Sequence, residues 1–383
     1  MDHNRKIIYL AGFLFSVPIG LALYINSSFL SSFIGESSAG IVFALGSISS
    51  ILVLLIAPKI FKKLGAYKFL LLMSFLNALS FLGIALVQNT LGIIILFIAG
   101  FCLDTLIIFS LDEILEITSR ESNTGKIRGT YLTIYSFALI LAQVCLSALP
   151  ATFSFRAIYF VGFLLMLIFC ITCFVSLKDI PEPAYDKLSA FKFVTKFFQE
   201  KKLFHAYGTS FLVNLFYSWM IIYTPIYLYA HLYFSWQEIG TIFSIMLLPF
   251  TFIPVYAGRY ADKIGERKLL MFGFMVVSLA TISLFFIYQH ALWIWALVLF
   301  MTRIGIATAE SMSDTYFFKH IKPKNEEWVG VYRSAAPAAN VLGPVLAFVT
   351  LMFLPSFNYI FIVLGTLMLC GVYLSSTIKK SDI

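Results

Sequence analysis

Charge-free runs follow one another along the whole chain, each long enough to supply the roughly 20 apolar residues that a helix needs to cross a bilayer core. Residues 7–35, 37–57, 129–155, 157–177, 203–237 and 239–258 each hold one crossing. Three longer runs, 69–103, 269–302 and 334–378, are broken by turn-type residues at Gln88-Asn89-Thr90, Gln289-His290 and Pro355-Ser356, so each holds two. The pattern predicts an all-α integral membrane protein of twelve transmembrane helices. The first run is too long for the apolar stretch of a signal peptide, and no small-residue cleavage site follows it, so it is expected to stay as helix 1.

Composition excludes a water-soluble alternative. The 383 residues are 60% hydrophobic and 12% charged, against about 45 to 50% and about 25% in ordinary soluble domains. The five cysteines, Cys102, Cys145, Cys170, Cys173 and Cys370, all lie in apolar stretches without metal-spaced histidines, so neither a disulfide framework nor a metal site is expected. Cys170-Ile-Thr-Cys173 has the spacing of a redox motif but reads as helix packing. His205 and His231 fall at two membrane boundaries and read as interfacial. No cofactor is expected.

Of the 27 basic residues, 24 fall at the termini or in alternate loops, from Arg5 and Lys6 through Lys62 and Lys63 to Lys379 and Lys380. Arg156 stands alone on the other side, and Arg303 and Arg333 lie within helices. The positive-inside rule then puts both termini in the cytoplasm, with the cell (inner) membrane as the expected location. The net charge of +8 reads as this topogenic signal and as a match to anionic lipid heads, not as a nucleic-acid footprint. The polar segment 178–203 separates an amino-terminal six-helix half, 1–177, from a carboxy-terminal half, 204–383. It reads as a cytoplasmic tether whose basic amphipathic stretch 191–198 could lie on the membrane surface.

The halves are related by an internal repeat. A shift of 200 residues brings Ala57 onto Ala257, Lys63 onto Lys263, Gly65 onto Gly265 and Lys68 onto Lys268. In the second copy Gly258, Asp262, Lys263, Gly265, Arg267 and Lys268 follow a spacing that resembles the signature loop of the major facilitator superfamily, with Glu266 as a departure. The first copy has Pro58 and Lys62 in place of the glycine and the aspartate. The resemblance implies two pseudo-symmetric six-helix bundles, a cavity lined by helices 1, 4, 7 and 10, and a role for Asp262 in latching the cytoplasmic side. Lys62 and Lys63 face a complementary set, Asp112, Glu113 and Glu116, at the end of helix 4, as though the charges had exchanged signs between partners.

Ionisable groups at membrane depth cost about 2.5 to 3.5 kcal/mol each on insertion scales, which makes them functional candidates. Asp104 on helix 4 and Arg303 on helix 10 sit at matched depth in the two halves, and either face a shared polar space or form a structural pair. Glu310 and Asp314 follow on helix 10 and Arg333 on helix 11, so Glu310 reads either as a proton carrier or as a partner of Arg333. Asn26, Asn214, Tyr217 and Tyr223 supply amide and aromatic groups suited to a mixed ligand. Gly343-Pro344 resembles half of an antiporter motif on the wrong helix and reads as a bend.

No phosphate-binding loop for a nucleotide is present. The expectation is a secondary active transporter, not an enzyme, that moves a small-molecule substrate by alternating access with protons as coupling ion, working as a monomer in the lipid bilayer without nucleic acid. The aromatic groups favour efflux of an amphipathic compound. Uptake of a sugar or other metabolite by symport is the alternative, and a membrane enzyme or scaffold a remote one.

Overall fold

The computed structural model describes residues 2–119, 124–149, 153–178, 194–320 and 327–378, and it is helical throughout them apart from short turns. Among the described residues, eleven helices are long and apolar enough to cross a membrane, and a twelfth apolar stretch, Thr133–Ala148, lies inside a longer helix. Their outer surfaces carry large apolar side chains such as Leu55, Phe174, Val175, Leu279 and Phe353, each more than half exposed. That is the reverse of a soluble surface and fits contact with lipid. By internal contacts the chain divides into two units, Met1–Asp186 and Lys187–Ile383.

The first unit contains α1 (Asp2–Leu23), α2 (Ile25–Ile34), α3 (Glu36–Leu64), α4 (Ala66–Leu86), α5 (Thr90–Ser119), α6 (Thr124–Ala148) and α7 (Phe155–Ser176). The second contains α8 (Val194–Gln199), α9 (Lys201–Ile226), α10 (Trp236–Leu247), α11 (Pro249–Ile264), α12 (Glu266–Leu284), α13 (Leu292–His320), α14 (Glu327–Arg333), α15 (Ala335–Phe353) and α16 (Tyr359–Ser376). Their packing corresponds pair for pair. In the first unit α4 packs on α5 and α7, α1 on α6, and α3 on α5; in the second α12 packs on α13 and α16, α9 on α15, and α11 on α13.

The clearest sign of the repeat is the turn that joins α3 to α4 and α11 to α12. Gly65 has φ 80° and ψ 155°, Gly265 has φ 81° and ψ 150°, and each donates its N–H to the carbonyl four residues back. A side chain has almost no room in that region of backbone space, so glycine is required at both copies.

Several expected crossings are broken. The first window is two helices, meeting at Tyr24, six residues beyond Pro18. The eighth divides at Leu248 because Pro249 has no N–H to continue the ladder, and the chain closes instead with Leu248 donating to Ile245. The eleventh bends at Ser334, whose N–H is shared between Gly330 and Val331, ahead of Pro337. After Pro225, α9 ends in a π-turn, Tyr227–His231.

Within the polar segment between the halves, the described part of the amphipathic stretch is α8, whose two aromatic residues differ: Phe198 is exposed and Phe197 is not. Phe197 is wholly buried, with its ring near those of Tyr207, Phe317 and Trp328. The short helix is thereby tied to α9, α13 and α14.

The α12–α13 contact is the tightest in the second unit. A methyl group built on Gly305 would lie 2.5 Å from the Val277 nitrogen and 2.7 Å from the Gly273 oxygen, both backbone atoms that cannot swing aside. Gly305→Ala should therefore force the helices apart and cost about 1 to 3 kcal/mol or more. Gly208→Ala meets only the tip of Leu374 and should be tolerated. Thermal melting of the two purified variants checks the contrast.

At one end of the same helix pair, His290 has Nε2 2.9 Å from the Glu238 carboxylate and Nδ1 2.9 Å from the Leu232 carbonyl. Both partners are acceptors, so both ring nitrogens must carry protons. The Glu238 hydrogen bond accordingly raises the His290 pKa above its ordinary value. A raised folded-state pKa means the contact contributes fully below the unfolded value and is lost as pH rises through the folded one. The stability difference between the wild type and His290→Gln should therefore be largest in mild acid and vanish towards alkaline pH. Melting temperatures measured across that range check the sign.

Candidate functional site

Each unit buries polar groups among its helices, and the two sets differ in how completely they are satisfied. In the first unit Asp104, on α5, accepts a 2.8 Å hydrogen bond from the Asn77 amide on α4. Asn77 is wholly buried and its own carbonyl oxygen has no partner. The sequence reading overlooked it, although an amide in an otherwise apolar helix needs a partner just as Asn26 does. Asn26, on α2, accepts a 2.6 Å hydrogen bond from Tyr159 on α7. The Gln143 amide, on α6, donates to the Gly20 carbonyl one turn before the α1–α2 break.

The second unit brings together three of the expected residues. Tyr217, on α9, donates a 2.6 Å hydrogen bond to the Glu310 carboxylate on α13. Two turns back on α13, the guanidinium of Arg303 lies 5.3 Å from the Phe216 ring centre and 5.8 Å from that of Tyr217. Phe216 gave no signal in the sequence, being one of 41 phenylalanines in the chain. Arg303 is 1% exposed, and its Nε and Nη1 have no hydrogen-bond partner. Cation–π contact is worth about 0.5 to 2 kcal/mol, whereas desolvating a charge costs several. The rings therefore leave most of the cost of this burial standing.

The remaining candidates lie around this cluster. Asp314 accepts from Tyr332 at 2.7 Å, and Tyr332 contacts Ser313, which in turn contacts Thr209, so the chain of hydroxyls ties α14 and α9 to α13. Arg333 is exposed, and its charge acts on Asp314; the charged groups acting on Glu310 are Asp314 and Arg303. Tyr223 is buried and donates to the Pro344 carbonyl at 3.3 Å, which makes it part of the α9–α15 seam. Asn214 spends its amide on the Ser210 carbonyl within α9. Asp112 is exposed and Glu113 half-buried at the end of α5; the side chain of Glu116 lies outside the described residues.

In the signature loop, Gly258, Asp262 and Lys263 lie on helical backbone, but their side chains are outside the described set. Glu266, the departure from the motif, is 1% exposed and forms an ion pair with Lys319 at the far end of α13. Arg267 donates to the Ser376 carbonyl at 2.6 Å and so caps the end of α16. Lys268 is exposed. These contacts fasten the start of α12 to both helices packed against it.

The profile of the Major Facilitator Superfamily matches residues 206–381. The solved structure of the nucleoside transporter NupG matches 98% of this chain and 100% of its own, with TM-score 0.79 and 12% identity. The chain has the fold of that transporter, and its carboxy-terminal half carries the family profile. A bacterial homolog of the human lysosomal transporter Spinster, in an inward-facing and unoccupied conformation, matches 98% of this chain and 94% of its own, with TM-score 0.72 and 11% identity. A POT family transporter in complex with a thioalcohol-conjugated peptide matches 97% and 94%, with TM-score 0.77 and 13% identity. No curated protein matches in sequence. At such identities these likenesses establish the fold alone, a multi-pass arrangement of apolar helices.

Proposed function

We propose that this transporter works as a proton-coupled secondary carrier, moving a small solute by alternating access with Glu310 as the group that takes and releases the proton. The observation that carries the reading is the Tyr217–Glu310 hydrogen bond beside the unpartnered Arg303. A carboxyl group held inside a membrane protein by one hydroxyl hydrogen bond is placed to take up and release a proton as its surroundings change. Asp104 is the corresponding acid of the first unit, and its Asn77 amide serves either state of the carboxyl.

Symport is favoured over efflux of an amphipathic compound. Much of the aromatic character that suggested amphipathic cargo is engaged in packing: Trp219 and Tyr223 are wholly buried within the second unit. No group with catalytic geometry enters the reading, and the protein is taken as a carrier and not an enzyme. The distribution of basic loops supports cytoplasmic termini, and the signature loop with its Asp262 is assigned to the cytoplasmic latch.

In proteoliposomes with an imposed pH gradient, Glu310→Gln should abolish gradient-driven accumulation of substrate while leaving exchange of substrate for substrate. Tyr217→Phe should reduce accumulation about tenfold, the loss of one hydrogen bond to a charged group at about 1.5 kcal/mol. Unchanged accumulation in Glu310→Gln at equal protein levels would remove Glu310 from the proton path.

A further inference from the structure

We infer that Arg303 is the docking point for an oxyanion carried on the transported solute, a carboxylate or a phosphate, and that its occupancy is linked to protonation of Glu310. The inference rests on the proton-coupled reading above and supplies its substrate class.

The argument begins with what Arg303 lacks. Its guanidinium is buried, Nε and Nη1 have no acceptor, and Arg303 takes part in none of the ion pairs among the described residues. Phe216 and Tyr217 offer ring faces, which attract the charge but take none of the hydrogen bonds that a guanidinium makes in its own plane. A neutral solute would leave the charge uncompensated and a cation would add to it. An oxyanion supplies both the countercharge and the paired acceptors that an arginine fork fits. The flanking rings suit a planar or apolar body next to that anion.

The link to the proton follows from position. Glu310 stands seven residues beyond Arg303, on the same helix face and about 10 Å along the axis, and it feels the charge of Arg303. Its other neighbours are the Tyr217 hydroxyl from α9 and Asp314 from its own helix. Of the charges on the remaining helices packed against α13, Glu238 on α10 is held by His290 and Glu266 on α12 by Lys319. The side chains of Arg259, Asp262 and Lys263 on α11 are outside the described set. When an anion neutralises Arg303, the Glu310 carboxylate loses its nearest cation and accepts a proton more readily. By reciprocity, protonated Glu310 leaves the full charge of Arg303 for the anion and tightens its binding. Anion and proton are therefore carried together.

The test uses purified full-length protein and thermal melting, with benzoate and phenyl phosphate as anionic probes and benzamide and benzylamine as neutral and cationic counterparts. Without ligand, Arg303→Gln should melt higher than the wild type, because it removes an uncompensated buried charge. At least one of the two anions should stabilise the wild type, more so in mild acid than at neutral pH, and neither benzamide nor benzylamine should. The anion shift should disappear in Arg303→Gln and lose its pH dependence in Glu310→Gln. Whichever of benzoate and phenyl phosphate acts identifies the oxyanion. A ligand-free Arg303→Gln that melts at or below the wild type would mean that Arg303 already has a countercharge, and would overturn the inference. So would equal stabilisation by benzamide, or no stabilisation by either anion. Arg303-dependent anion binding that ignores both pH and Glu310 would overturn the linkage together with the proton-coupled reading. Proton-driven flux without anion preference would overturn the Arg303 assignment alone.

Discussion

Inside a hydrocarbon layer a polar group has no water to turn to, and the arrangement of this chain is governed by that shortage. Serines and threonines along the helices bond carbonyls three or four residues back, as Ser74 does to Leu70 and Thr281 to Val277. Groups that cannot be satisfied locally reach across to a neighbour and lock a helix pair: Asn77 to Asp104, Gln143 to Gly20, Ser278 to Gly365, Tyr159 to Asn26. Among the described side chains with buried atoms left unpaired, Arg303 is the one that carries a charge, and it asks for a functional reason, since a buried charge retained without a countercharge lowers the stability of the protein that carries it.

The two units use one packing plan for different chemistry. The same helix pairs meet in both, and the same left-handed glycine turn joins α3 to α4 and α11 to α12. At matched positions of the two repeats, however, one unit holds an acid with an amide donor and the other a base beside aromatic rings. Among the described contacts, the second unit then adds Glu310, Tyr217 and the Asp314–Tyr332 network. This division of labour fits a carrier in which proton and solute are handled on the same helix, α13, so that a charge change at one group reaches the other along a rigid element.

Hydropathy made the crossings legible because lipid penalises every unpaired charge along them, and the repeat was legible because its turn demands glycine at both copies. Breaks at Tyr24 and Ser334 were not, since a proline shows where a ladder bond is lost and not which residue absorbs the bend. Asn77 was within reach of the rule applied to Asn26, while Phe216 was hidden among many residues of its kind. Glu266 looked like a neutral departure from the motif because its partner, Lys319, lies 53 residues away in sequence. The family profile covers residues 206–381, the half in which the signature loop keeps its aspartate and both glycines.

The central claim, that solute and proton share one linked site on α13, is tested most directly by proton release or uptake on binding. Purified transporter in weakly buffered detergent, with a pH indicator, is mixed with whichever oxyanion stabilises it. The account predicts net proton uptake on binding in the wild type and none in Glu310→Gln. Proton release on binding, or uptake that persists undiminished in Glu310→Gln, would contradict it.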